Sequence, residues 1–220
     1  MLFNDRVEAG KRLAQALREF QGKDAVVLGV PRGGVVVAAE VARALGAPLD
    51  VVVTRKVGAP GEPEFALGAV TQEGEVILDV KAVESVGASR EYLDGEIRRK
   101  REEVDERMKL LRGDAPFPRV EGKVVIIVDD GVATGSSVSA AVRSVRSRAP
   151  GEVVVAVPVA PRETVEKLAR EGVKVVCLET PEPFFAIGEF YRDFRQVEDA
   201  EVIRLLYWSS GSADPPSGFE

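Results

Sequence analysis

A chain of 220 residues can bury one substantial core, or a core with a small appendage, but not comfortably two full domains. Its 30 basic and 36 acidic residues give a net charge of -6 and a pI near 5.1, which argues against a surface built mainly for polyanions. Having no histidine and a single cysteine, it cannot build a Ser-His-Asp or Cys-His centre, a histidine-containing zinc site or an intramolecular disulfide.

Met1 to Asp5 leads straight into a charged segment without an apolar signal core, and no run is long enough to span a bilayer, so the expectation is a cytoplasmic enzyme. Scarce Asn, Gln, Cys and Met beside abundant Glu, Arg and Val point to a thermophilic source. Asp5 to Gln21, with Val7, Leu13, Leu17 and Phe20 among charges, is predicted as an amphipathic helix. Ala25 to Val30 reads as a buried strand, Gly33 to Leu45 as a helix packed on a sheet, and Leu49 to Thr54 as the next strand, a right-handed parallel crossover unit. Val57 to Pro63 packs two glycines and two prolines together and is expected to be a loop, a flexible flap running to about Glu64. Phe65 to Val70 and Glu75 to Leu78 form a predicted antiparallel hairpin.

Ser89 to Arg112 carries Leu93, Ile97, Val104, Met108 and Leu111 at helical spacing. Its basic cluster Arg98 to Arg101 is interleaved with Glu96, Glu102, Glu103, Asp105 and Glu106, so it reads as a solvated, salt-bridge-laced face and not as a nucleic-acid site. A strand at Val124 to Val128, a helix from Gly135 to Arg148, a strand at Glu152 to Val157, a helix from Arg162 to Glu171, a strand at Val173 to Leu178 and a helix from Glu198 to Trp208 follow. Cys177, inside the apolar Val173 to Leu178 run, reads as a small buried hydrophobe. Alternation of strand and helix makes the class α/β, an open, mostly parallel twisted sheet with flanking helices. Residues 1–208 are expected to be one domain with its core at about 22–178 and a small hood from 179–208, the N-terminal helix packing nearby; 209–220 read as a disordered tail.

The chemistry concentrates where Val124-Val125-Ile126-Ile127-Val128 runs into Asp129-Asp130-Gly131-Val132-Ala133-Thr134-Gly135-Ser136-Ser137. Acids at the carboxyl end of a doubly buried strand sit where open α/β sheets bind ligands. Carboxylates accept hydrogen bonds from vicinal sugar hydroxyls, and hydroxyls with backbone N–H groups at a helix N-terminus bind phosphate. A ribose 5-phosphate fits both ends. The plain alternative is an Asp-Asp-Gly turn with Thr134 as a helix N-cap. Gly131 to Ser136 lacks the Gly-Lys of a P-loop, and no Gly-x-Gly-x-x-Gly follows a predicted strand.

The segment closely resembles the phosphoribosyl pyrophosphate (PRPP) motif of type I phosphoribosyltransferases. That resemblance implies ribose binding by Asp129 and Asp130, and 5-phosphate binding by Val132, Ala133, Thr134, Gly135, Ser136 and Ser137. After the first predicted strand, Gly29-Val30-Pro31-Arg32-Gly33-Gly34 places glycines and an arginine fork where pyrophosphate could lie. It resembles that family's pyrophosphate loop, which implies contacts from Arg32, Gly33 and Gly34 and a cis peptide at Arg32–Gly33. Arg55 and Lys56, at the next strand end, are expected to reach the same edge of the sheet and meet pyrophosphate.

The function implied is transfer of a 5-phosphoribosyl group between PRPP and a nitrogenous base, releasing pyrophosphate, with Arg32, Asp129, Asp130 and Lys56 as the catalytic set. Mg2+ is the implied cofactor, with Asp129 and Asp130 as its candidate ligands. Members acting on 6-oxopurines carry a third acid three residues after the pair; Ala133 stands there in this chain, which disfavours hypoxanthine, guanine and xanthine. Base recognition falls to the segment after the last core strand, where Phe184 and Tyr191 are the aromatic candidates. A homo-oligomer, a dimer, is the expected assembly, with no membrane or nucleic-acid partner. Two other readings stay open: a regulatory PRPP sensor without catalysis, and a hydrolase using the acidic pair as a metal site.

Overall fold

The structure, a computed structural model, describes residues 2–113 and 115–209. Five parallel strands form the main sheet: β1 (Ala25–Gly29), β2 (Leu49–Val51), β6 (Val124–Val128), β7 (Glu152–Val159) and β8 (Lys174–Glu179). Their order is β2-β1-β6-β7-β8, so the chain steps outward from β1 to β2, then crosses back to lay β6 against β1 in register from Ala25↔Val124 to Gly29↔Val128. The strands are near-continuous Val and Ile because both faces are covered. Val27, Ile126, Val128, Val154 and Ala156 point into one core layer, and Val26, Leu28, Val125, Ile127, Val153 and Val155 into the other. The first layer holds α1 (Arg6–Ala16), α2 (Gly33–Leu45) and α7 (Asp199–Ser209); the second holds α5 (Ser136–Arg146) and α6 (Arg162–Arg170).

Between β2 and β6 the chain leaves this sheet to build β3 (Thr54–Ala59), β4 (Glu62–Thr71) and β5 (Val76–Leu78), an antiparallel sheet of order β3-β4-β5, followed by α3 (Val80–Val86) and α4 (Arg90–Arg112). The segment expected to be a flexible loop is thus a β-hairpin. Pro60 and Gly61 form its two-residue turn, Gly61 at a φ of +77°, and the remaining Gly58 and Pro63 sit at a β-bulge, where glycine and proline are tolerated. A Cβ on Gly58 would lie 2.6 Å from the Pro63 carbonyl oxygen, so the close approach of the two strands requires glycine there. The strand expected over Leu49 to Thr54 divides, with Thr54 beginning β3.

β4 begins at Glu62, three residues before the expected Phe65, and, the N-terminal helix aside, the remaining expected elements match the periodicity within a residue or two at their ends. On α4 the charged face is laced by Arg99 with Glu96 and Glu103 and by Lys100 with Glu103. The N-terminal helix stops at Ala16 and is continued by a 3-10 turn, Arg18–Phe20. Its buried stripe runs through Arg6, Ala9, Gly10, Leu13 and Ala14, leaving Val7 half-buried. No helix among the described residues is long and apolar enough to cross a membrane. The expected disordered tail falls, beyond Ser209, outside the described residues.

Candidate active site

In a sheet of this order the crevice opens beyond the carboxyl ends of the two strands where the winding reverses, here β1 and β6. The loops leaving those strands are the two singled out above. They touch: a Cβ on Gly34 would come within 2.8 Å of Asp129 Oδ1, and one on Gly33 would collide with Asp130 Oδ2 and lie 2.7 Å from Arg6 Nε. Glycine is therefore needed at both positions to let the β1 loop lie against the acid pair.

Each loop opens a helix whose first turn holds no acidic residue and no side-chain cap. Gly135, at a φ of +81°, starts α5, while Thr134 Oγ1 lies 3.3 Å from Ser136 Oγ and not on a helix N–H. Thr134 is thus not the N-cap of the plain alternative. The loop itself is anchored by its carbonyls: Thr164 Oγ1 donates to the Ala133 oxygen at 2.6 Å, and Lys167 Nζ to the Thr134 oxygen at 3.2 Å. Val132 is buried and its N–H donates to the Val159 carbonyl, whereas Ala133, Thr134 and Ser137 are exposed. What remains is a helix N-terminus with no side-chain cap, beside the exposed Thr134 and Ser137.

Asp130 is held from three directions. Arg6 Nε donates to its Oδ2 at 2.7 Å, Asp129 Oδ1 accepts from its backbone N–H at 2.9 Å, and Tyr191 Oη donates to its carbonyl at 2.6 Å. Burial pushes both carboxyls above their usual range; Asp129 is raised further by the neighbouring Asp130, whereas Arg6 partly offsets the effect at Asp130. A site that raises two acids in this way gains from hydroxyl donors or a cation placed between them.

The other expected residues are distributed as follows. The cis peptide bond of the β1 loop is Pro31–Arg32, one bond before the expected Arg32–Gly33. The Arg32 carbonyl already accepts from Val35 N–H in the first turn of α2, which fixes the following peptide in helical geometry. Arg32 Nη1 lies 3.9 Å from Asp199, whose carboxylate is held at 2.6 Å by Arg107. Arg55 and Lys56 do not reach one edge together, because consecutive strand residues point to opposite faces. Arg55 turns to Glu103 on α4 at 3.6 Å. Lys56 pairs with Glu64 at 2.8 Å and lines a cavity of about 140 Å³ that also touches Ser136 and Arg143 of α5.

Tyr191 is 2% exposed, packed between Phe3 and Phe194. Burial raises its hydroxyl far above the ordinary tyrosine range, so it remains a donor to Asp130, where it cannot stack on a ligand. Phe184 packs on Phe190 with ring centroids 5.0 Å apart, and next to it Ile187 closes over Gly131, where a Cβ would come within 2.5 Å of Ile187 Cγ2. Arg6 is the site residue absent from the sequence reading. Its signal was its place at the head of the buried stripe of α1, three and four residues before Ala9 and Gly10. Among the described residues, no group of three His, Cys, Asp or Glu side chains could hold a metal unaided.

A family model of the phosphoribosyl transferase domain matches residues 4–195. A Mycobacterium tuberculosis protein whose name provisionally assigns it as a phosphoribosyl transferase is 43% identical over 205 residues, 93% of this chain and 46% of its own length. The chain therefore spans about half the length of this curated relative. The crystal structure of TT1426 from Thermus thermophilus superposes with a TM-score of 0.83 at 49% identity, over 94% of this chain and 98% of the other. AQ2163 from Aquifex aeolicus shares the fold, with a TM-score of 0.52 at 14% identity over 83% of this chain and 76% of its own.

Proposed function

The chain belongs to the phosphoribosyl transferase domain family, and on that premise we propose that it transfers a 5-phosphoribosyl group between PRPP and a nitrogenous base with release of pyrophosphate. The observation that carries the reading is the meeting of two uncapped helix N-termini and one acid pair at the reversal point of the sheet. PRPP has an anion at each end and two hydroxyls between, and this crevice has donors at each end and two carboxylates between.

Asp129 and Asp130 would accept from the ribose hydroxyls. Thr134, Ser136, Ser137 and the first N–H groups of α5 would hold the 5-phosphate. Gly33, Gly34 and Arg32 would receive the pyrophosphate, where a fixed guanidinium and an oriented helix end stabilise charge as the leaving group departs. Asp129 and Asp130 are the groups that would hold Mg2+, which would supply positive charge to offset that of the pyrophosphate. The raised acid pair fits such a cation. Lys56, facing Ser136 across a small cavity, is the hairpin cation suited to the phosphate side; Arg55, turned to α4, is not. The acceptor would lie by Phe184 and Ile187, next to the acid pair. Ala133 leaves no acid at the position that 6-oxopurine enzymes use, so a 6-oxopurine acceptor is disfavoured.

The test is calorimetry with PRPP and Mg2+, followed by a screen of bases for pyrophosphate release. Asp129→Asn combined with Asp130→Asn should abolish PRPP binding and leave the circular dichroism spectrum unchanged; unaltered affinity would remove the central claim. PRPP binding without turnover of any base would make the protein a sensor of PRPP, and efficient hypoxanthine turnover would overturn the acceptor reading.

A further inference from the structure

We propose that Arg6 is a positioning residue for the ribose subsite, fixing the Asp130 carboxylate so that one oxygen is tied to the protein and the direction of the other is set for the substrate. The inference rests on the reading of Asp129 and Asp130 as the ribose subsite.

Arg6 is the first residue of α1 and is 8% exposed. Burying a guanidinium is unfavourable unless it is paired, and here two of its nitrogens donate in directions that leave little freedom. Nε donates to Asp130 Oδ2 at 2.7 Å, Nη1 donates to the Arg195 carbonyl at 2.8 Å, and the guanidinium carbon lies 3.9 Å from the centre of the Phe194 ring. The plane of the guanidinium is thereby fixed by a hydrogen bond, an ion pair and a stacked ring.

A purely structural ion pair could sit anywhere between α1 and the sheet. This one ends on an acid at the reversal point of the sheet, and the first glycine of the opposite loop abuts both partners. Arg6 therefore touches the ribose and pyrophosphate sides together. Around it the N-terminal segment meets the segment after β8: Phe3 bridges Tyr191, the Leu2 and Phe3 N–H groups donate to the Phe190 carbonyl, and the Tyr191 hydroxyl donates to the Asp130 carbonyl. Side chain and backbone of Asp130 are thus both held, one from α1 and the other from the segment after β8. Lysine would keep the charge but could not make the fork, so it would replace the arginine only in part.

The experiment measures PRPP affinity by calorimetry in the presence of Mg2+, and the separate KM values for PRPP and for the acceptor, on the full chain and on Arg6→Met, Arg6→Gln and Arg6→Lys. Folding is checked by circular dichroism and all work is done well below each melting temperature. Arg6→Met and Arg6→Gln should weaken PRPP binding about 10–100-fold, the range for losing a group that orients a ligand-holding side chain. Arg6→Lys should recover part of the loss, and the KM for the acceptor should stay within about twofold of the native value. PRPP affinity unchanged in folded Arg6→Met, or equal increases in both KM values, would overturn the proposal. If both neutral variants fail to fold, Phe194→Leu is read instead, because it keeps both charges and loosens the seat of the guanidinium; weaker PRPP binding supports the proposal and native affinity overturns it. Failure of the unaltered protein to bind PRPP overturns the functional reading itself, and this inference with it.

Discussion

Replacing Gly33 with alanine adds one methyl group at the first position of α2, where it would collide with Asp130 Oδ2 and stand 2.7 Å from Arg6 Nε. In an open helix the change would be favourable by up to about 1 kcal/mol. Here the methyl cannot be placed until the carboxylate swings away, and the carboxylate is tied to a buried guanidinium. Losing a hydrogen bond between charged groups costs about 1.5–3 kcal/mol, and removing one partner of a buried ion pair about 3–5. Both charges survive in this variant and can pair at longer range, so the lower range applies. Subtracting the gain in helix propensity leaves a net loss of about 0.5–2 kcal/mol, a fall in melting temperature of roughly 1–8 °C for a domain of this size. Gly95→Ala is the matched control: Gly95 lies on the exposed face of α4 with nothing within 4 Å of an added Cβ, and the substitution should raise the melting temperature by about 2–4 °C. Calorimetric scanning of both variants beside the parent protein decides the matter. A Gly33→Ala protein that melts at or above the parent temperature would refute the claim that the β1 loop and the acid pair are in packed contact.

Tyr191→Phe deletes the donor to a buried carbonyl, Asp130 O at 2.6 Å, without changing the ring contacts; denaturant titration should show a loss of about 1–3 kcal/mol. The Cys177 thiol is pushed up to about 11, chiefly by burial, so at pH 8 it should react with an alkylating reagent about a hundredfold more slowly than an ordinary cysteine, and unfolding should restore the rate. The same shift has a sign for stability: an unfolded thiol ionises at lower pH than the folded one, so this group's contribution declines as pH rises from about 8.5 toward 11. Melting temperatures of the native protein and Cys177→Ala, compared across pH 8 to 10, should therefore converge or cross in favour of the variant as pH rises. A gap that widens in favour of the native protein contradicts it.

Much of the main sheet could be read in the sequence because a strand covered on both faces has to be aliphatic throughout, and few other uses of a chain produce Val-Val-Ile-Ile-Val. The acid pair and the small residues after it were legible for the related reason that ligand groups gather at strand ends. The β3–β4 hairpin was misread because Gly58 and Pro63 look like loop residues when a bulge is not foreseen. Helix α3 was missed because none of its residues is buried and its apolar spacing carries no signal, although Asp79 and Gly87, which cap it, were visible. Arg6 was hidden by distance: its partner lies 124 positions away, and a lone cation near a helix start is ordinarily solvated. Tyr191 illustrates the limit on aromatic residues, since ring composition gives no account of whether a ring faces a ligand or supports the loop that holds it.

The pairing of β1 directly with β6 divides the chain into two halves of different freedom. The acid pair and the glycines of the β1 loop are set against each other by that pairing, because sliding one strand by a single residue would separate them. The intervening excursion from β3 through α4 leaves from the edge strand β2 and returns at the central strand β6 without interrupting the register of β1 and β6. It can change length, charge or cover while the frame stays in place. A chain built this way can vary the excursion without disturbing the contact between the β1 loop and the acid pair.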